Sequence, residues 1–72
     1  MNHRTVKLSR SAARIFTDLA QDKGYRVGPP ALYFDTLQPY VQNAIAGGVP
    51  PIHIPKAAAR VYLAECIAAQ KG

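Results

Sequence analysis

An apolar and aromatic stretch in the middle of the chain, residues 29–47, most constrains the fold. It contains Tyr33, Phe34 and Tyr40 together with four leucine, isoleucine or valine side chains, and its only charged residue is Asp35. Such a segment has to remove most of its side chains from water. We therefore expect a central helix, continuous or broken, against which both flanking segments pack.

The spacing of the apolar residues makes the expected fold mainly α, with three to four short helices. Gly24 is a natural C-terminal stop for a first helix, and Pro55 suits the first turn of a last helix. Pro39 would cost a helix interior about 3 kcal/mol, so the central stretch is expected to kink near Gln38 or to split in two. The predicted helices cover residues 10–23, 30–37, 39–46 and 56–70.

Two extended segments are expected outside these helices. Residues 5–9 alternate polar and apolar side chains, which predicts a short strand with Ser9 capping the helix that follows. Residues 49–54 are rich in proline and are expected to be extended as well. Pairing of residues 5–8 with residues 51–54 would form a minimal two-stranded ribbon.

The chain also contains an internal repeat. Residues 6–16 align without a gap with residues 52–62, and the sequence Ala-Ala-Arg stands at the same place in both. As a structural unit, the repeat would be a strand that leads directly into an alanine-faced helix with a basic start. The alternative is that two alanine-rich helix starts resemble each other by chance.

With 72 residues, the chain is expected to be one domain, residues 1–72, with a small core. A chain of this size buries only about 60% of the surface that its unfolded form exposes. Cys66 is the lone cysteine, which favours a reducing compartment. No apolar run approaches the roughly 20 residues that span a bilayer, and no signal-peptide pattern opens the chain. These features predict a soluble, cytoplasmic protein.

The sequence contains no constellation that predicts catalysis or metal binding. His3 and His53 have no cysteine or carboxylate at ligand spacing, and neither serine has a nearby base that could activate it. Asp18 and Asp22 lie one helical turn apart, which is typical of a solvated helix face. We therefore expect no enzyme activity, no catalytic residues, no cofactor and no metal.

The strongest functional signal is a group of cations near the start of the chain. Nine Lys and Arg residues against four Asp and Glu give a formal net charge of +5. Four of these cations, with no acid between them, are Arg4, Lys7, Arg10 and Arg14. Such a group favours a polyanionic partner, either nucleic acid or an acidic protein surface. The alternative is a face that is merely solvated.

Residues 5–47 resemble a ribbon-helix-helix DNA-binding domain, in which a short strand precedes two helices. The resemblance implies a dimer whose two-stranded ribbon enters the major groove. It also implies that the outward strand side chains, here Thr5, Lys7 and Ser9, contact base edges. On this alternative the protein is a DNA-binding repressor.

The whole chain, by its size, its basic charge and its helical layout, resembles small phage regulators of host RNA polymerase that act in antitermination. The resemblance implies binding near the amino-terminal part of the polymerase β′ subunit, in the host-cell cytoplasm. It also implies inhibited initiation and read-through at terminators. We therefore expect a non-enzymatic, monomeric transcription regulator whose basic group contacts an acidic protein surface or nascent RNA. Inhibition of another host protein is a further alternative.

Overall fold

Three helices account for most of residues 3–71, the part of the chain that the structure, a computed structural model, describes. Short 3₁₀ turns, Pro30–Tyr33 and Pro51–His53, precede the second and third helices. The helices are α1 (His3–Asp22), α2 (Phe34–Ala46) and α3 (Ile54–Lys71). The mainly α fold is thereby confirmed. No strand occurs within residues 3–71, so the predicted two-stranded ribbon is wrong.

The segment predicted as a strand, residues 5–9, is the beginning of α1. Thr5 and Ser9 are buried, whereas the apolar residues between them are only half-buried. Thr5 and Ser9 are four residues apart and therefore share a helix face, which continues into the buried alanines of α1. The alternation of polar and apolar residues predicted a strand wrongly, because Thr5 and Ser9, although polar, lie on the buried face of the helix. Ser9 is accordingly inside the helix and not its N-cap.

Small side chains dominate the buried face of α1, which allows a close approach of the neighbouring helices. The buried residues of α1 are Thr5, Ser9, Ala12, Ala13, Phe16, Thr17 and Ala20. The core residues of the other two helices are Leu37 and Val41 of α2 and Ile54, Ala58, Ala59 and Leu63 of α3. Most of these buried residues are alanine, serine or threonine, so few large side chains fill the volume of the core.

A chain of four aromatic rings supplies much of that volume. The ring centroids lie 4.9 Å apart for Phe16 and Tyr33, 4.8 Å for Phe16 and Tyr62, and 5.3 Å for Tyr40 and Tyr62. All three pairs are tilted, as the ring quadrupoles favour, and each such pair stabilises by about 0.5–1.5 kcal/mol beyond its burial. The chain of rings therefore joins the first 3₁₀ turn and all three helices.

Of the two arrangements expected at Pro39, the split into two helices is wrong, because α2 continues through this residue. Proline cannot donate to the carbonyl oxygen four residues earlier, which belongs to Asp35. Both residues are exposed, so water can take the place of the lost donor. The helix that was expected to begin at residue 30 begins at Phe34, after the 3₁₀ turn Pro30–Tyr33.

The predicted glycine stop after α1 is confirmed, and a second glycine ends α2 in the same way. Gly24 and Gly48 have φ angles of 88° and 80°, in the left-handed region. After α1, the Tyr25 amide donates to the Ala20 carbonyl over 3.0 Å, and the Gly24 amide donates to the carbonyl of Gln21 over 2.9 Å. The same pattern follows α2, so each helix ends in a Schellman motif.

Each of these motifs leads into a pair of prolines that starts a 3₁₀ turn. Pro29 and Pro50 are extended, with ψ angles of 154° and 141°, and the prolines that follow them open the turns. The sequence predicted an extended segment here, which is wrong for residues 51–53, because they form the second 3₁₀ turn. Proline suits such an entrance because its missing N–H would have no partner there.

The internal repeat is real in its helical part and absent in its strand part. The alanine pairs at residues 12–13 and 58–59 are buried, and Arg14 and Arg60 are exposed at the equivalent places. The repeats differ where Pro55 stands in the first turn of α3. Ser9, its equivalent, has a backbone N–H, so α1 can extend one and a half turns further toward the N-terminus.

Candidate functional site

The four cations of the sequence lie along one face of α1. Since residues 3–9 are helical, all four lie on a single helix, and all are exposed. At 100° per residue they fall within an arc of about 120°, opposite the buried face, and they span roughly 15 Å along the axis. This surface, called the basic stripe below, consists of Arg4, Lys7, Arg10 and Arg14.

The charges of α1 run against its helix dipole. The first turn contains no acidic residue and the last turn no basic residue, whereas Asp18 and Asp22 lie toward the C-terminal end. The partial positive charge of a helix N-terminus favours anions, and the C-terminus favours cations. Like charges three or four residues apart on the stripe also repel each other, and an anionic partner would relieve that repulsion.

An open groove lies beside the C-terminal half of the basic stripe. It is formed between α1 and the segment that carries the first 3₁₀ turn and the start of α2, and its volume is about 780 Å³. Arg10 and Arg14 contribute its charged side chains. Its apolar lining, called the groove floor below, is Ala13, Ile15, Pro30, Ala31 and Phe34. The groove thus combines an apolar floor with two guanidinium groups.

The first 3₁₀ turn, which forms one wall of this groove, is held against α1 by local contacts. The Gly28 amide donates a hydrogen bond of 3.0 Å to the Tyr33 hydroxyl, which ties the connector to the 3₁₀ turn. The ring of Tyr33 packs on Phe16 of α1. Leu32 covers Gly28 so closely that a Cβ atom at that glycine would lie 2.4 Å from the Leu32 Cδ1 atom. The turn is therefore fixed by hydrogen bonding and packing.

The residues expected to contact DNA bases do not form one surface. Thr5 and Ser9 are buried, with exposed fractions of 5% and 0%. Lys7 is the exposed residue of the three. The Ser9 Oγ atom is buried without a hydrogen-bond partner. Thr5, Lys7 and Ser9 therefore cannot read base edges as the outward side of a ribbon.

A second polar cluster joins α2 and α3 at the far end of the ring chain. The Tyr40 hydroxyl donates to the Glu65 Oε1 atom over 3.2 Å. Burial, followed by the hydrogen bond to Cys66, raises the pKa of Tyr62 to about 12. Burial also raises the pKa of Tyr40, with smaller contributions from Glu65. Both phenols are therefore neutral at physiological pH and suit a structural role.

Sequence reasoning found the basic stripe but missed the groove. Pro30, Ala31 and Phe34 come next to Arg10 and Arg14 only through the packing of the first 3₁₀ turn on α1. The proline and aromatic residues of this segment could have indicated a binding surface, but the sequence does not predict which helix the segment contacts. In the part of the chain that is described, no three His, Cys, Asp or Glu side chains are grouped as metal ligands.

No helix within residues 3–71 is long and apolar enough to cross a bilayer. Comparison of the chain with protein families, with curated proteins and with solved structures found no match. The basic stripe and the adjoining groove are the features of this surface that carry a functional hypothesis.

Proposed function

We propose that the protein is a non-enzymatic transcription regulator that binds bacterial RNA polymerase through the basic stripe. The observation that carries the proposal is the placement of four cations on one exposed face of one helix. Arg10 and Arg14, two like charges one helical turn apart, cost about 0.2–0.5 kcal/mol in the free protein. This placement is explained if the stripe contacts an acidic surface that compensates this cost on binding.

RNA polymerase is proposed as the partner because the chain resembles small phage regulators in size, charge and helical layout. The resemblance suggests the amino-terminal region of the β′ subunit as the place of contact. Bound there, the protein would inhibit initiation and promote read-through at terminators. The apolar groove next to the stripe favours a protein surface over nucleic acid, because nucleic-acid interfaces are more polar than protein–protein interfaces.

Binding of immobilised protein to purified bacterial RNA polymerase tests the proposal, with duplex DNA and single-stranded RNA measured in parallel. We expect retention of the polymerase at physiological salt, with an affinity that falls as salt rises. The double variant Arg10→Glu/Arg14→Glu should lose binding at least tenfold while remaining helical by circular dichroism.

The repeat provides a matched control. Lys56→Glu/Arg60→Glu changes the net charge by the same amount, at equivalent exposed positions of α3, and should leave binding unchanged. Equal losses in both double variants would mean that net charge, and not the basic stripe, governs the association. Binding of DNA or RNA without binding of polymerase would replace the proposal with direct nucleic-acid recognition.

A further inference from the structure

We infer that the groove between α1 and the first 3₁₀ turn is the binding site for an acidic amphipathic segment of a partner protein. An apolar side chain of that segment would occupy the groove, and its carboxylates would pair with Arg10 and Arg14. This inference deepens the proposed function, on which it rests for the identity of the partner. The chemistry of the occupant follows from the groove itself.

The groove floor selects an apolar side chain. Its volume of about 780 Å³ lies within the range of about 300–1,000 Å³ that is usual for binding pockets. Pro30 and Ala31 are exposed, while Ile15 and Phe34 are half-buried, so each still presents apolar surface. Covering this surface with a leucine or phenylalanine side chain would remove it from water without leaving a polar group unpaired.

The guanidinium groups select carboxylates next to that side chain. Arg10 and Arg14 are both exposed and both line the groove. They are separated by one turn of α1, a rise of about 6 Å. Two glutamates one turn apart on a partner helix have the same spacing. Carboxylates can accept two parallel hydrogen bonds from each guanidinium group, which gives both strength and register.

The groove is formed before any partner binds. Pro29 and Pro30 restrict the backbone where the first 3₁₀ turn begins, and the hydrogen bond between the Gly28 amide and the Tyr33 hydroxyl ties the connector to this turn. The contact between Tyr33 and Phe16 fixes the turn to the core. A preformed site loses little conformational entropy on binding, so a modest contact area can suffice.

A nucleic acid would satisfy the arginines but not the floor. Phosphate groups would pair with Arg10 and Arg14, yet the apolar floor would then face a polar backbone. Recognition of unpaired bases usually needs exposed aromatic faces on which they stack. Phe34 is the single aromatic side chain of the lining, and it is half-buried. The combination therefore favours a peptide.

The internal repeat separates the contribution of charge from that of the groove. Lys56 and Arg60 of α3 correspond to Arg10 and Arg14 of α1 and are likewise exposed. They do not line the groove, because the proline turn that forms its wall follows α1. The structure thus contains one basic pair with an apolar site beside it and one basic pair outside that site.

The first test uses a capped, helix-forming peptide that carries two glutamates one turn apart, flanked by leucine and phenylalanine. In ¹⁵N-edited spectra of the full chain, the largest shifts on peptide addition should fall on residues that line the groove, namely Ser11, Ile15, Ala31 and Phe34. Replacing both glutamates by glutamine, or both apolar residues by alanine, should each weaken binding about tenfold or more. Shifts centred on another face, or equal binding of the three peptides, would overturn the inference.

The second test uses variants of the protein. Ala31→Trp fills the groove, and Ala31→Glu places a repelling carboxylate beside it; each should weaken peptide binding about tenfold. Arg10→Gln/Arg14→Gln should do the same, whereas Lys56→Gln/Arg60→Gln should not. Unchanged binding in both Ala31 variants, with helicity and melting preserved, would contradict the inference. If one Ala31 variant fails to fold, the other variant and the comparison of the three peptides still test the inference.

The same variants separate this inference from the proposed function. If polymerase binds and is lost in Arg10→Glu/Arg14→Glu but not in Ala31→Trp, the stripe is the contact and the groove inference fails. If polymerase does not bind at all but the acidic peptide occupies the groove, the proposed partner is wrong and the groove inference holds. Competition by single-stranded RNA for the same groove residues, as strong as that by the peptide, would overturn the inference.

Discussion

The rings of Phe16 and Tyr62 pack against each other with their centroids 4.8 Å apart, and these two residues occupy equivalent positions of the internal repeat. The contact therefore joins α1 and α3 through the same position of two related helices. Phe16 also packs on Tyr33 of the first 3₁₀ turn, and Tyr62 packs on Tyr40 of α2. This single pair thus links every helix to the wall of the groove.

Replacement of Phe16 should be the most damaging single change in the core. Phe16→Ala removes two ring contacts and leaves a cavity, at a cost of about 3–5 kcal/mol. Because a domain of this size has about 3–5 kcal/mol of stability, we expect the variant to be largely unfolded. Urea unfolding followed by circular dichroism measures this. Phe34→Ala is the matched control, since Phe34 is half-buried and outside the ring chain. An equal loss in the control would contradict the role of the rings.

Ser9→Ala should stabilise the protein. The buried Oγ atom of Ser9 has no hydrogen-bond partner, and an unsatisfied buried polar group costs about 1–3 kcal/mol. Ser11→Ala is the control, because Ser11 is exposed on the same helix and gains only helix propensity, about 0.5 kcal/mol. A larger rise in the urea midpoint for Ser9→Ala than for Ser11→Ala is expected. Equal urea midpoints for the two variants would indicate that the Ser9 hydroxyl forms a hydrogen bond in solution.

Alanine at two neighbouring glycines should have opposite effects. Gly48 has a φ angle of 80°, so Gly48→Ala should destabilise by about 1–2 kcal/mol. Gly47 has a φ angle of −79°, and a Cβ atom there would lie 3.4 Å from the Asn43 carbonyl oxygen. Gly47→Ala should therefore stabilise by about 0.4–1 kcal/mol. Thermal melts of the two variants test the sign at each position, and a shift in the same direction for both would contradict the capping geometry.

Stability should fall in alkaline solution through Tyr62. Its pKa is about 12 in the folded protein against an ordinary value of 10.0. Between these two values the unfolded chain ionises this phenol while the folded protein keeps it neutral. The stability from this group is therefore fully present below pH 10 and declines toward pH 12. Melting temperatures across this range, with tyrosinate absorbance, test this. Tyr62→Phe should flatten the decline, and an unchanged slope would assign it to another group.

Several features of this protein follow from local sequence. Gly24 and Gly48 end their helices because glycine adopts positive φ angles without steric cost, and Pro55 lies in a first helical turn because it lacks an N–H group. The basic residues were recognisable by their spacing in the chain alone. Local rules hold at these positions because the physical cause lies in the residue itself or in its nearest neighbours.

Tertiary structure decided the rest. Residues 5–9 are helical, and Thr5 and Ser9 are buried in the folded chain. Local alternation of polar and apolar residues cannot predict this burial. Pro39 is tolerated because its missing hydrogen bond is on an exposed side of α2. The groove exists because the first 3₁₀ turn packs beside Arg10 and Arg14. In each case the outcome depends on which side chains the folded chain buries and which it leaves exposed to water, and the local sequence does not determine this.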